Sequence, residues 1–239
     1  MRTPSDMRVT RFSAVMTAAL TVRHTPFIVM SAPSLTDLAC RVAKTISDGR
    51  AHVEPTFLSG DDLNACRTDM ANVLSQALST GGASNEFQSL QTDLLHPDFR
   101  NQPGVPFASL LNQLEELRVA LADSTGRTFM EGGGLHLMHY PVGSKFMRHV
   151  DEDPAMFEPI RNSISFLIYL TDGDDWSEDD GGALRIFDNG DEPRRVLPVS
   201  GTLVVYDSTT EHEVLETRRE RVLISGRFKE LDEDWQRGR

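Results

Sequence analysis

Apolar positions in the first half of the chain recur at three- and four-residue spacing. Over 37–49, Leu38, Val42, Ala43 and Ile46 fall on one helical face, with Ser34 and Asp37 ahead of the run and Gly49 as its stop. Over 61–78, Leu63, Met70, Val73, Leu74 and Leu78 do the same, and Gly81-Gly82 ends the pattern. Residues 81–106 read as loop, with Pro97, Pro103 and Pro106 among polar residues. A third helix fits 107–123, where Leu110, Leu111, Leu114, Leu117 and Leu121 form a stripe suited to packing on a sheet. After Gly132-Gly133-Gly134 the period changes to two. The runs 135–140, 145–150, 163–170, 183–187, 195–199, 202–207 and 221–228 then read as strands, separated by Gly, Pro, Asp and Asn. Many short strands at this spacing are the signature of a sandwich or barrel. The expectation is a mainly β (α+β) fold in a single domain over 31–239, with helical support over about 31–130 and a β core over about 131–230.

Composition narrows the class. The 239 residues are 39% hydrophobic, 25% charged and 7% aromatic, as in ordinary globular proteins. No stretch approaches the roughly 20 apolar residues of a membrane helix, so no membrane span is expected. The net charge is −12, and it is uneven: residues 1–130 hold 11 bases and 13 acids, residues 131–239 hold 13 and 23. An acidic half argues against phosphate-backbone binding, so no nucleic acid is expected, whereas a basic peptide is compatible. Cys40 and Cys66 lack the number and spacing of a zinc site, and a reducing compartment is the simpler assumption. Residues 1–36 carry Arg2, Arg8, Arg11 and Arg23 against one acid, Asp6. Residues 1–30 are therefore read as a flexible N-terminus in a cytoplasmic protein, with a cleaved organellar presequence as the alternative.

The chemistry starts at His149-Val150-Asp151. Residues two apart on a strand share a face, so this His and Asp can converge on one ion. His212, the only histidine further on, supplies a third ligand just after the run 202–207, where a strand ends. Two His and one carboxylate with open positions are the ligand set of non-heme Fe(II) sites that activate O2. A second His-x-Asp, His96-Pro97-Asp98, lies in a Pro-rich stretch where no strand holds both side chains parallel. Nine residues after His212, Arg221 opens the last strand. By parity Arg221, Leu223, Ser225 and Arg227 share one face, and Val222, Ile224 and Phe228 the other. An Arg on an inner face needs an anion, either an acidic side chain or a cosubstrate.

Several spaced motifs follow one another in order: Tyr140-Pro141-x-Gly143, Arg148-His149-Val150-Asp151, Ile168-Tyr169-Leu170, Gly181-Gly182-x-Leu184-Arg185-Ile186-Phe187, His212-Glu213-Val214 and Arg221. Over about 134–230 this resembles the 2-oxoglutarate/Fe(II) dioxygenases of the prolyl 4-hydroxylase type, above all the hypoxia-inducible-factor prolyl hydroxylases and their bacterial relatives. The resemblance implies a double-stranded β-helix, or jelly roll, with helices packed on one sheet and the iron at its mouth. It implies His149, Asp151 and His212 as metal ligands, and Arg221 as the catalytic-site partner of the far carboxylate of 2-oxoglutarate. Tyr169, Tyr140 and Ser225 would complete the cosubstrate pocket. It further implies O2 as oxidant, ascorbate as reductant, and succinate and CO2 as products. The retained carboxylate of Asp151 favours hydroxylation over the halogenation of relatives that lack it.

Other residues are weighed beside these. His136 shares the face of Tyr140 and Met138, and is read as a packed, hydrogen-bonded histidine, with a place in the same cavity as the alternative. Arg185 is open to two readings, substrate rim or surface charge. The run 171–182, with six acids from Asp172 to Asp180, is read as a solvated loop. Its sharper reading borders the mouth and attracts a basic substrate segment. Two departures fall on the substrate side: Arg227 stands where the hypoxia-type enzymes have Trp, and Asn162, beside Arg161, stands where they have a substrate-gripping Arg. The expected substrate is a prolyl residue of a protein or peptide, and the expected oligomeric state is monomer. The alternatives are a free amino acid or small metabolite, with Arg227 as counter-charge, and a non-catalytic ligand-binding β-barrel.

Overall fold

The period-two runs assemble into antiparallel sheets. The computed structural model describes residues 34–79, 91–93, 104–131, 134–153, 159–173, 175–188 and 192–231. Among the described residues, three helices, α1 (Leu35–Ser47), α2 (Gly60–Ser79) and α3 (Ala108–Thr125), accompany ten strands. These are β1 (His52–Glu54), β2 (Gln91–Asp93), β3 (Gly134–Tyr140), β4 (Phe146–His149), β5 (Ile160–Tyr169), β6 (Leu184–Ile186), β7 (Arg194–Val196), β8 (Leu203–Asp207), β9 (His212–Val214) and β10 (Arg221–Leu231). A six-stranded sheet has the order β1-β8-β5-β10-β3-β2, and a four-stranded sheet the order β4-β9-β6-β7.

The helices begin and end where local chemistry directs. The Ser34 hydroxyl accepts the Asp37 amide at 3.1 Å, capping α1, and Gly49 at φ 71° turns the chain away. Gly126, at φ 71°, closes α3 with its N–H on the Ala122 carbonyl at 2.9 Å. Ahead of α3, Phe107 holds the left-handed region at φ 62°, and its N–H donates to Asp69 at 2.6 Å.

Alternation divides the six-stranded sheet into two apolar faces. Leu135, Leu137, Ile164, Phe166, Ile168, Leu203, Val205, Val222, Ile224 and Phe228 pack with the helical stripes, including Leu38, Val42, Leu110, Leu114, Leu117 and Leu121. Their neighbours Met138, Tyr140, Leu167, Tyr169, Val204, Tyr206 and Leu223 form a second cluster with Leu184, Ile186 and Val196 of the smaller sheet. Each large apolar side chain buried this way contributes roughly 1.5–3 kcal/mol. The two faces of β10 divide as parity requires.

Three short strands depart from the sequence expectation. Residues 91–93, expected as loop, pair with β3, and β1 pairs with β8. His212 does not follow a strand end but opens one, β9, opposite His149. A three-residue strand is too short to show a period, and its pairing comes from a partner distant in sequence. Residues 1–33, the Gly81-Gly82 stop and His96-Pro97-Asp98 lie outside the described residues.

Gly226 faces the helical side of β10, where a Cβ would come within 2.1 Å of the Phe166 ring. Gly226→Ala is expected to destabilise the fold by about 1–3 kcal/mol through overpacking, measured as a lower urea midpoint at unchanged m-value. An unchanged midpoint would show that the Phe166 ring moves aside freely.

Candidate active site

Between the two sheets lies a cavity of about 170 Å³. Its walls alternate out of the strands just described. β3 contributes His136, Met138 and Tyr140, and β10 contributes Arg221, Leu223, Ser225 and Arg227. His149, Asp151, Tyr206 and His212 lie on the same wall system, with Leu184 and Val214 from the smaller sheet.

His149 and His212 face each other in register across β4 and β9, their ring centroids 4.2 Å apart. Each ring is oriented by its own backbone. His149 Nδ1 lies 2.8 Å from the Met147 carbonyl and His212 Nδ1 2.9 Å from the Thr210 carbonyl. A carbonyl only accepts, so both Nδ1 atoms carry the proton and both Nε2 lone pairs point to the cavity.

Asp151 reaches the same point by a route that strand parity does not describe. β4 ends at His149, and Asp151 lies in the bend beyond it. Its amide and that of Glu152 both donate to the Ser208 carbonyl, at 3.0 and 2.9 Å. The Asp151 carboxylate stands 3.9 Å from His149 Nε2 through Oδ1 and 3.9 Å from His212 Nε2 through Oδ2. One ligand atom from each of the three residues lies within 4.8 Å of the others.

The carboxylate is 6% exposed and held from two sides. Arg227 donates to Oδ1 at 2.5 Å and the Tyr206 hydroxyl to Oδ2 at 3.1 Å. Burial alone would raise the Asp151 pKa. The charge and hydrogen bond of Arg227, with the hydrogen bond of Ser165, outweigh it and hold the group below the usual carboxylate value. Burial lowers the His212 pKa, so its imidazole is neutral at pH 7. An ionised carboxylate and the neutral His212 imidazole are protonation states that a divalent cation requires, and two histidines with one carboxylate form a donor set that fits Fe(II).

Across the cavity, Arg221 is 1% exposed. Its guanidinium donates to the Gly182 carbonyl at 3.0 Å and lies 4.2 Å from the centroid of the Tyr140 ring. The turn that presents this carbonyl requires glycine: Gly181 and Gly182 both have φ 67°, and a Cβ on Gly181 would meet the Glu216 carbonyl oxygen at 2.4 Å. No carboxylate pairs with Arg221 among the described residues. Arg221 Nε and the Tyr169 hydroxyl are buried with no hydrogen-bond partner. Burial pushes Tyr169 up to about 12, against the pull of Arg221, so the phenol keeps its proton to donate. Two unpartnered buried donors fit a carboxylate brought in from outside.

Other sequence expectations sort themselves by position. His136, half-buried, lines the cavity opposite Ser225, the alternative of its two readings. Arg185 pairs with Glu213 at 2.8 Å on the outer side of the smaller sheet. Within the acidic run, Asp175 pairs with Arg219 at 3.0 Å and Glu178 with Arg195 at 2.6 Å. None of its described residues lines the cavity. Arg161 donates to Glu152 at 3.3 Å, and Asn162 donates its side-chain amide to the Asp151 carbonyl at 2.9 Å. Tyr206 was not anticipated. Its only sequence signal is parity with Val204 on a strand that leads towards His212.

Comparisons with known proteins agree with this geometry. Residues 135–229 match the 2OG-Fe(II) oxygenase superfamily. A prolyl-4-hydroxylase from Pseudomonas putida superposes with a TM-score of 0.66 at 25% identity, covering 81% of this chain and 100% of that one. A prolyl hydroxylase from Trichoplax adhaerens, solved with a hypoxia inducible factor peptide fragment, gives 0.64 at 18%, covering 81% and 90%. Prolyl 4-hydroxylases from Phytophthora capsici give 0.65 at 20%, covering 86% and 69%. A search of curated sequences found no significant match.

A buried cation with no acidic partner lowers stability. Arg221→Met is expected to stabilise the ligand-free protein by about 1–4 kcal/mol in urea unfolding. A loss of stability would show that the bond to Gly182 outweighs desolvation.

Proposed function

We propose that this chain, a prolyl 4-hydroxylase-like dioxygenase of the 2OG-Fe(II) oxygenase superfamily by its residues 135–229, hydroxylates a prolyl residue of a protein or peptide. One observation carries the chemistry: His149, Asp151 and His212 converge in a cavity that Arg221 also lines, and Arg221 Nε and the Tyr169 hydroxyl beside it are buried donors without partners. The likeness to a prolyl-4-hydroxylase at 25% identity, and to a relative solved with a peptide fragment, supports the substrate class. In this reading the six- and four-stranded sheets are the two walls of a jelly roll.

The net reaction is substrate C–H plus O2 plus 2-oxoglutarate to substrate C–OH, succinate and CO2. Bound by His149, Asp151 and His212, Fe(II) supplies the redox chemistry that joins the two oxidations. The protein's own part is positional. Arg221 takes the far carboxylate of 2-oxoglutarate, Tyr169 donates to the same group, and the Tyr140 ring lies against the guanidinium. Ser225 offers a hydroxyl midway along β10, between Leu223 and Arg227. Met138, Leu184, Val214 and Leu223 line the cavity with apolar surface that excludes water from the reacting centre. The substrate enters on the side where His149 and Arg227 stay about 30% exposed. Ascorbate serves as external reductant.

The same chemistry on a free amino acid would need a counter-charge at the mouth. Its candidate, Arg227, is engaged by Asp151, which favours the peptide.

Succinate release with Fe(II), 2-oxoglutarate and ascorbate is expected to rise when proline-containing peptides are added. Turnover that no peptide stimulates would overturn the peptide reading and leave the dioxygenase. Asp151→Ala is expected to abolish turnover in a folded protein, and near-normal succinate release would refute the metal assignment. Arg221→Ala is expected to raise the 2-oxoglutarate concentration needed for half-maximal rate by a factor of about 30 or more, because truncating one partner of a buried charge pair costs about 2–5 kcal/mol. An unchanged requirement would place the anion elsewhere.

A further inference from the structure

We propose that Tyr206 is a positioning residue of the metal site, holding Asp151 and His212 from inside the fold while Arg227 holds Asp151 from the cavity edge. The inference rests on the reading of His149, Asp151 and His212 as metal ligands.

Tyr206 lies on β8 and is 1% exposed. Its hydroxyl is 3.1 Å from Asp151 Oδ2 and 3.3 Å from His212 Nε2. Its ring packs 4.8 Å from the His212 ring at an interplanar angle of 55°. A phenol has one proton to give. His212 has placed its own ring proton on the Thr210 carbonyl, so Nε2 can only accept. Both acceptors within reach of the Tyr206 proton are therefore ligand atoms. A cation that takes the Nε2 lone pair removes one of them, and the proton is left on Asp151.

Arg227 supplies the other half of the clamp. It donates to Oδ1 at 2.5 Å from β10, whereas Tyr206 donates to Oδ2 from β8. β5 lies between those strands in the sheet. One donor on each oxygen stops the carboxylate rotating about its Cβ–Cγ bond. The ligand geometry is thus set before any metal arrives, and less ordering is left to binding. Substituting Phe keeps the ring and its packing and removes only the hydroxyl.

The test is titration of the metal-free full-length protein with Co(II), followed by visible absorption, for wild type, His149→Ala, Tyr206→Phe and Arg227→Met. Melting temperatures are recorded in parallel. The expected result is Co(II) affinity at least tenfold weaker in Tyr206→Phe, with altered ligand-field bands and a melting temperature close to wild type. His149→Ala loses the bands altogether. Wild-type affinity and spectrum in Tyr206→Phe, with His149→Ala defective, would overturn the inference and leave the metal site standing. Wild-type binding in His149→Ala would overturn the metal site itself, and the inference with it. If Tyr206→Phe does not fold, Arg227→Met decides: weaker binding with altered bands supports the clamp, and wild-type binding refutes it.

Discussion

A carboxylate withdrawn from water between two sheets costs several kcal/mol unless donors compensate it, and much of this fold converges on that requirement at Asp151. Its compensation comes from separate strands: Tyr206 from β8, Arg227 from β10 and Ser165 from β5. The backbone on either side of the group hangs on the Ser208 carbonyl, just beyond β8. These three strands are neighbours in one sheet, so their registers are read out together at a single side chain. The same contacts that keep Asp151 ionised also aim it.

The opposite end of the cavity follows a different logic. Arg221 and Tyr169 are buried with donors left unpaired. Such groups lower the stability of the empty protein, and they are tolerated because the surrounding strands hold them firmly. Asp151 is satisfied by the protein and open to a cation. Arg221 is unsatisfied by the protein and open to an anion. The contrast gives the cavity its polarity.

Layering makes both ends possible. Strict alternation along β10 sends Val222, Ile224 and Phe228 to the helices and Arg221, Leu223, Ser225 and Arg227 to the cavity. A slip of one residue would exchange the two sets and bury the arginines under helices. The apolar stripes of α1 and α3 therefore do more than add burial. They make the alternative register costly and so secure the site.

Much of this was legible in the chain. The change of period after Gly134, the stripes of three helices and the facing of β10 follow from local rules, because helical and strand periods are set by backbone geometry. The His-x-Asp spacing and Arg221 pointed to the chemistry through motif order. What local rules could not supply was contact between distant strands. β1, β2 and β9 are three residues each and exist only through their partners. Asp151 lies past the end of its strand and reaches His149 through the anchorage at Ser208, not through alternation. Tyr206 and Arg227 meet the carboxylate from positions 55 and 76 residues away. Residue types and periodicity determined which side chains could do chemistry. Tertiary structure decided which of them share one carboxylate, because hydrogen bonds at 3 Å are set by strand register across the sheet, and register is a property of pairs of strands, not of either sequence alone.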